Sequence, residues 1–342
     1  MGMMHVEQVP DHENRSPRFD VVGIGELLID FTDHGRSESG MRLFEQNAGG
    51  APANMLAALA KLGYKTAFIG KVGMDGPGDF LRETLEGNGI NVDGLVSDPD
   101  AFTTLAFVAL SPGGERQFSF ARKPGADTML TKSELRQDIA AAGRILHFGS
   151  LSLTNEPMRS TTFAAIAAAR AAGRIISYDP NYRPLLWPSP EAAAEQMIAG
   201  ARAADLIKVS DEEIKLLTGT DDLSEAAKRL LALGPTVAVI TLGKAGATVV
   251  TRDGSVTVPV FPGDVVDTTG AGDSFWGGFL SAMLERNLTP ATIDQGVSYD
   301  LARVGNAVAT CCVGRRGGIP AMPTRDEVKH LLEMTSERYL MA

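Results

Sequence analysis

The 342-residue chain has only two cysteines, the neighbours Cys311 and Cys312, and only five histidines. Two adjacent thiols do not make a disulfide framework, so a reducing compartment is expected, and the cytoplasm with it. The histidines stand at His5, His12, His34, His147 and His330, and none are spaced as metal ligands. That removes zinc hydrolysis and histidine triads, and leaves a carboxylate as the expected general base. No apolar run reaches 18 residues, so no spanning helix and no membrane partner are expected. Positive charge is short: 32 Lys and Arg against 42 Asp and Glu give a net −10. An acidic chain lacks the footprint of a general nucleic-acid binder, although local donors can still hold a small anion. Residues 1–18 are polar with no apolar central block, so they are read as a frayed tail or cloning remnant and not as a secretory signal.

Three nucleotide or nucleophile motifs are also missing. Gly23-Ile24-Gly25-Glu26-Leu27-Leu28 starts like a dinucleotide fingerprint but has Leu where the third Gly belongs, and it runs on into strand-like Ile29-Asp30-Phe31. No Gly-x-x-x-x-Gly-Lys-Ser/Thr occurs, which excludes a P-loop. Gly272-Asp273-Ser274-Phe275-Trp276 begins like a nucleophile elbow and ends in Trp.

What is present is an alternation of short apolar runs with Ala- and Leu-rich helical patterns. The runs at 19–23, 66–70, 144–147, 175–179, 206–209 and 237–242 read as buried strands. Between them, 53–62, 78–88, 158–172, 192–203 and 212–217 read as helices, and 325–332 as a closing one. Near-continuous apolar strands with helical crossovers predict an α/β fold, its mostly parallel sheet covered on both faces. Two segments break the rhythm. The runs 105–110 and 116–121 flank Ser111-Pro112-Gly113-Gly114-Glu115, a hairpin signal, and 31–45 is polar and not helical. The two excursions either pair as a small β-sheet lid or are unrelated surface loops. Without a repeat or linker, one domain with a lid fits better than two domains.

Chemistry concentrates in Asp264-Val265-Val266-Asp267-Thr268-Thr269-Gly270-Ala271-Gly272-Asp273, followed by an apolar helical run from Ser274. Amides at a helix start have no internal partner and carry about half a positive charge. Residues without bulk let a phosphate approach them, so Gly270, Ala271 and Gly272 read as an anion hole. Asp273 alone would read as a helix cap. Beside an anion hole it is also placed to take a proton from a hydroxyl attacking phosphorus, which points to phosphoryl transfer to an alcohol.

The segment resembles a signature of the ribokinase-like (PfkB) carbohydrate kinases. A second signature lies at Gly49-Gly50-Ala51-Pro52-Ala53-Asn54 through Gly63, followed by Ile69-Gly70-Lys71-Val72-Gly73. The resemblance covers nearly the whole chain and implies a ribokinase-like kinase domain over 19–335, with lid segments at about 31–45 and 102–122. Within the family the chain is most similar to fructokinases. The residues behind this are Phe118 to Asp127, Tyr178-Asp179-Pro180-Asn181-Tyr182-Arg183-Pro184-Leu185-Leu186-Trp187 and Lys208-Val209-Ser210-Asp211-Glu212-Glu213.

The resemblance implies that Asp273 is the base acting on a primary hydroxyl, O6 of fructose, with the amides of 270–272 as the anion hole. It places sugar recognition on Asp30, Gly49, Gly50, Asn54, Arg122 and Arg183. Nucleotide binding falls to Ser210, Glu213, Thr241, Gly243, Gly246 and Asn306; Ser210 stands where many members carry Asn and keeps an oxygen acceptor. ATP and Mg²⁺ are the implied cofactors. A monovalent cation, K⁺, is implied beside the anion hole at Asp267, Thr269, Cys312, Arg315, Gly317 and Ala321, mostly through carbonyl oxygens. A sister activity, 2-keto-3-deoxygluconate kinase, would use Arg122 or Arg183 on the substrate carboxylate, and a sugar sensor of the same fold would lack turnover. The intact Gly-Ala-Gly-Asp favours the enzyme. The exposed edges of a projecting lid suggest a homodimer.

Overall fold

The computed structural model describes residues 16–110 and 116–340. Most of the polar N-terminal stretch, through residue 15, and the hairpin turn expected at 111–115 lie outside the described residues. The main sheet is built from β1 (Phe19–Ile24), β4 (Thr66–Gly73), β5 (Asn91–Asp98), β8 (Gly143–Gly149), β9 (Ile175–Asp179), β10 (Leu206–Ser210), β11 (Val237–Thr241), β12 (Ala247–Thr251) and β13 (Gly254–Val258). Their order is β13-β12-β11-β10-β9-β8-β1-β4-β5. From β11 to β5 every neighbouring pair is parallel, and β12 and β13 add antiparallel strands at one edge.

Strand residues alternate between two cores, as a period of two requires. Val21, Phe68 and Ile145 face one side, where Met55, Leu56 and Leu59 of α1 (Ala51–Lys61) and Trp276 and Phe279 of α8 (Ala271–Glu285) pack. Val22, Ile69, Leu146 and Phe148 face the other, against Met158 and Ile166 of α4 (Met158–Ala171) and Met197 of α5 (Pro190–Arg202). The remaining helices are α2 (Gly76–Gly87), α3 (Gln137–Ala140), α6 (Asp211–Thr218), α7 (Leu223–Leu233), α9 (Gln295–Val313) and α10 (Arg325–Leu340). Among the described residues no helix is long and apolar enough to cross a membrane. Both helical layers follow from strands buried on both faces; β4 has all eight residues buried.

The two excursions do pair. β2 (Leu28–Arg36), β3 (Arg42–Gly49), β6 (Leu105–Leu110) and β7 (Arg116–Ala121) form a separate four-stranded sheet in the order β3-β2-β6-β7. Phe31 stacks on Phe107 with ring centroids 5.3 Å apart, and Phe44 meets Phe107 edge-on at 5.9 Å. β2 leaves the main sheet directly after β1, so the small sheet rises from the carboxyl ends of the parallel strands.

Six elements escape the sequence pattern: β5, β12 and β13, which carry few large apolar residues, and the helices α3, α7 and α9. The six buried strands and six helices of the alternating pattern all form, as does the helix expected from Ser274, with bounds shifted by a few residues and α10 running on well past its predicted end.

Two glycines in α8 set how closely its neighbours approach. A Cβ on Gly277 would lie 2.8 Å from Ala58 Cβ and 3.1 Å from the Met55 carbonyl, both in α1. A Cβ on Gly278 would lie 2.7 Å from Val308 in α9. Gly277→Val therefore wedges α1 away from α8. The expected cost is about 1–3 kcal/mol, the range for overpacking, read as a lower denaturant midpoint in chemical unfolding.

Candidate active site

Asp273 lies in the first turn of α8, where Gly270 is the N-cap with φ 75°. Its side chain is held at both oxygens. Asn54 Nδ2 donates to Oδ2 at 2.8 Å, and Asn181 Nδ2 donates to Oδ1 at 3.0 Å. Each carboxamide is itself fixed by local backbone. Asn54 lies in the first turn of α1, whose N-cap is Gly50; a Cβ there would sit 2.4 Å from the Glu26 carbonyl, at φ 120°. The Glu26 side chain caps the same turn by accepting from Ala51 N at 2.9 Å. Asn181 follows β9 at φ 48°, a left-handed conformation that Asn tolerates better than most residues.

Asp273 is 7% exposed. Burial pushes its carboxyl above the ordinary range, Asp179 adds to this, and Lys208, the Asn54 hydrogen bond and Arg183 oppose it. A carboxylate raised in this way is a better proton acceptor than one in water.

The loop ahead of α8 is tied down through Asp267. Its Oδ1 accepts from Thr269 N at 2.9 Å and from Thr269 Oγ1 at 2.8 Å, and its Oδ2 accepts from Gly317 N at 3.0 Å. The amides of Gly270 and Gly272 have no acceptor among the described residues, whereas Ala271 N donates to Thr268 O at 3.2 Å. The expected three-amide hole therefore has two open donors, and the middle one closes the turn.

These groups border a cleft of about 310 Å³ between the small sheet and the carboxyl ends of the parallel strands. Asp30 and Asn47 line it from β2 and β3, and Asn181, Arg183, Gly270 and Asp273 from the main body. Asp30 stands opposite Asn47 in the β2–β3 register. A Cβ on Gly49 would lie 2.3 Å from Asp30 Oδ2, so only glycine leaves that carboxylate its place. Burial pushes Asp30 up to about 6, opposed by Arg183 and helped by Asp273. The cleft lies at the sheet's switch point, where β1 has β4 on one side and β8 on the other.

Arg122, expected in the pocket, is not brought to it. Its Nε donates to Asp127 Oδ2 at 2.8 Å, Nη1 to Thr154 Oγ1 at 3.0 Å and Nη2 to the Leu151 carbonyl at 3.0 Å. The pair is fully buried, with side-chain exposures of 3% and 1%. A buried carboxylate needs its counterion, and that need holds Arg122 behind the wall of the cleft.

The residues expected at the nucleotide collect at the ends of β10 and β11. Ser210 N donates to Glu213 Oε2 at 2.8 Å, and Tyr182 N to Glu213 Oε1 at 2.6 Å, so Glu213 links α6 to the exit of β9. Thr241 ends β11; Gly243 has open space where a Cβ would go, and on Gly246 that Cβ would meet Val258 O at 2.0 Å. Asn306 departs from expectation: its Nδ2 is committed to Val258 O at 2.9 Å and Pro259 O at 3.0 Å, tying α9 to the end of β13.

Of the residues expected at a monovalent cation, Asp267, Thr269, Cys312 and Gly317 do converge. Cys312 Sγ lies 3.9 Å from Thr269 O. The Arg315 side chain turns outward to Glu327, while its amide donates to Cys312 O at 3.0 Å. Ala321 closes the turn after Gly318. Among the described residues no group of three or more His, Cys, Asp or Glu is arranged to hold a metal ion, so carbonyl oxygens are the donors on offer here. They suit a hard cation.

Sequence reasoning did not single out Asn181, Asp179, Lys208 or Glu26 as site residues. The signal for Asn181 was an Asn two residues past a strand end and after Pro180, a place where left-handed backbone is common.

The family model for pfkB family carbohydrate kinases matches residues 18–325. Fructokinase-2 of Zea mays is 43% identical over 309 residues, covering 89% of this chain and 91% of that protein. Among solved structures, fructokinase from Xylella fastidiosa with bound ATP superposes with a TM-score of 0.86 at 34% identity, covering 93% of this chain and 99% of that one. Fructokinase from Vibrio cholerae O395 in its fructose, ADP and calcium form gives 0.83 at 31% identity, covering 92% and 99%.

Breaking the buried Arg122–Asp127 pair should cost stability first. Arg122→Met leaves Asp127 buried without a counterion and is expected to lower unfolding free energy by about 3–5 kcal/mol in chemical denaturation.

Proposed function

The chain belongs to the pfkB family of carbohydrate kinases, and from that premise we infer that it is a fructokinase, transferring the γ-phosphoryl group of ATP to fructose. The observation that carries the site assignment is the carboxylate of Asp273, held by two carboxamides beside open amides at the N-terminus of α8. Fructose lies in the cleft, with Asp30 and Asn54 turned to its hydroxyls and Gly49 and Gly50 letting the backbone come close. Asn54 Oδ1 supports this: it is buried without a hydrogen-bond partner and so offers an acceptor. Arg183, exposed on the rim, grips the sugar or the transferred phosphate.

Asp273 takes the proton of the O6 hydroxyl as the oxygen attacks the γ-phosphorus. The bond to the β-phosphate oxygen breaks, giving fructose 6-phosphate and ADP. The amides of Gly270 and Gly272 meet the charge that develops on the transferred group. ATP lies along the ends of β10 and β11, near Ser210, Thr241 and Gly243. The enzyme uses a divalent cation, which we take to be Mg²⁺. No group of carboxylates among the described residues is arranged to hold a metal ion alone, which suits an ion held mainly by the nucleotide's own phosphates. When bound, it neutralises phosphate charge. Carbonyl oxygens near Thr269 and Cys312 would hold K⁺, whose charge would steady the anion loop.

The small sheet acts as a lid that closes over the sugar and keeps out water, which would otherwise accept the phosphoryl group. Its β3 edge exposes Leu43 and Phe44, with Met41 exposed just before the strand, which supports a homodimer joined through this sheet. Two thiols with no disulfide between them suit the cytoplasm.

Assayed by ATP consumption against fructose, 2-keto-3-deoxygluconate, ribose and adenosine, the enzyme is expected to turn over fructose fastest. Faster turnover of the keto acid would reassign the substrate. Asp273→Asn should lower kcat by about 10²–10⁴-fold while substrate binding persists; near wild-type turnover would remove the assigned base. Asp30 can accept from sugar hydroxyls at both oxygens with full negative charge only when ionised, so the KM for fructose should rise as pH falls through about 6.

A further inference from the structure

Beneath the N-terminus of α8 lies a charge pair that the reaction as described does not use. Lys208, on β10, and Asp179, at the end of β9, meet at 2.7 Å, with side-chain exposures of 6% and 3%. Lys208 Nζ lies 2.9 Å from where a Cβ on Gly272 would be, directly against the first turn that carries Asp273. The second oxygen of Asp179 accepts from Asn181 N at 3.2 Å, and Asn181 Nδ2 donates to Asp273 Oδ1. A continuous path therefore runs from Lys208 through Asp179 and Asn181 to Asp273.

We propose that Lys208 is a positioning residue for phosphoryl transfer: clamped by Asp179 under the helix terminus, its ammonium cancels the neighbouring carboxylate and keeps Asp273 ionised and ready to accept the sugar proton. The inference rests on Asp273 being the base. Two carboxylates buried side by side cannot both stay charged unless a cation lies with them. Lys208 is well placed to be that cation. Burial works against its charge, yet Asp179, Glu213 and Asp273 together hold its ammonium above the ordinary lysine range. Arg183, on the rim, is the other cation acting on Asp273, and it is exposed where Lys208 is buried. The remaining ionisable groups nearby are Asp30 on β2, His147 on β8, Tyr178 on β9, Asp267 ahead of α8, Glu213 on α6 and Cys312 on α9. Burial pushes His147 down to about 4, so it stays neutral at the pH of the reaction, and none of the others supplies positive charge. Close packing of Lys208 on Gly272 also gives that glycine a steric reason beyond phosphate access.

The test is the pH dependence of kcat at saturating ATP and fructose, where the sugar already covers Asp30. Lys208→Met leaves Asp179 uncompensated beside Asp273, so the acid limb should move to higher pH by about one unit or more. Asp179→Asn removes the like charge and keeps Lys208, so the limb should move the other way; its carbonyl oxygen can still accept from Asn181 N. The double variant should return close to wild type. Opposite shifts of the two single variants support the proposal. An unmoved limb in a folded Lys208→Met protein overturns it, whatever the loss of stability. If Lys208→Met does not fold, Asp179→Asn decides alone, since an unmoved limb there overturns the proposal equally. Asp273→Asn separates this from the underlying reading. Should that variant keep both rate and limb, Asp273 is not the base; should it lose activity while Lys208→Met leaves the limb in place, only the role of Lys208 falls.

Discussion

A carboxylate buried at the start of a helix has lost its hydration, and much of this structure serves to offset that loss at Asp273. Two carboxamides take the place of water on its oxygens. The open amides and dipole of α8 add positive potential from one side. A buried ammonium adds it from another, and that ammonium is itself balanced by Asp179. The same arrangement that makes the charge tolerable places it next to donors able to receive a phosphate. Stability and chemistry share one set of contacts.

Those contacts depend on how closely helices and strands approach. Asn54 reaches Asp273 because α1 packs tightly on α8, and it does so where Gly277 has no side chain and Ala58 has a small one. Asn181 reaches it because β9 ends one strand away from β10 and its exit turns through left-handed backbone. The small sheet contributes Asp30 by leaving the main sheet immediately after β1 and pairing β2 with β6, a strand far along the chain. No single segment contains the site.

Asp267, Gly270 and Asp273 were legible in the sequence because their chemistry is local: a loop without bulk, then a helix, with acids at fixed spacing. The same holds for Asn54 behind its pair of glycines. Arg122 was misplaced because nothing near it in sequence announces that Asp127 is buried and that its charge has to be matched inside the protein. Asn306 differs for a similar reason, since its amide answers two carbonyls at the end of β13, a strand without a clear apolar pattern. Asp179 and Lys208 were quoted only as parts of family-like strings. Their meaning lies in β9 and β10 being neighbours, which strand propensity does not reveal.

By itself the sequence determined the class of fold, from its apolar strands and helical crossovers, and the kind of reaction, from a glycine-lined helix start followed by an acid. Both rest on interactions between residues close along the chain, where spacing is geometry. Only the tertiary structure decided that the two excursions form one sheet, that Ala271 N closes a turn while its neighbours stay open, that Arg122 is a structural counterion to Asp127, and that a lysine lies beneath the helix turn that carries Asp273. Each of these depends on which distant groups share a volume from which water is excluded. There unmatched charge is costly, and every polar group has to find a partner wherever the fold has put one.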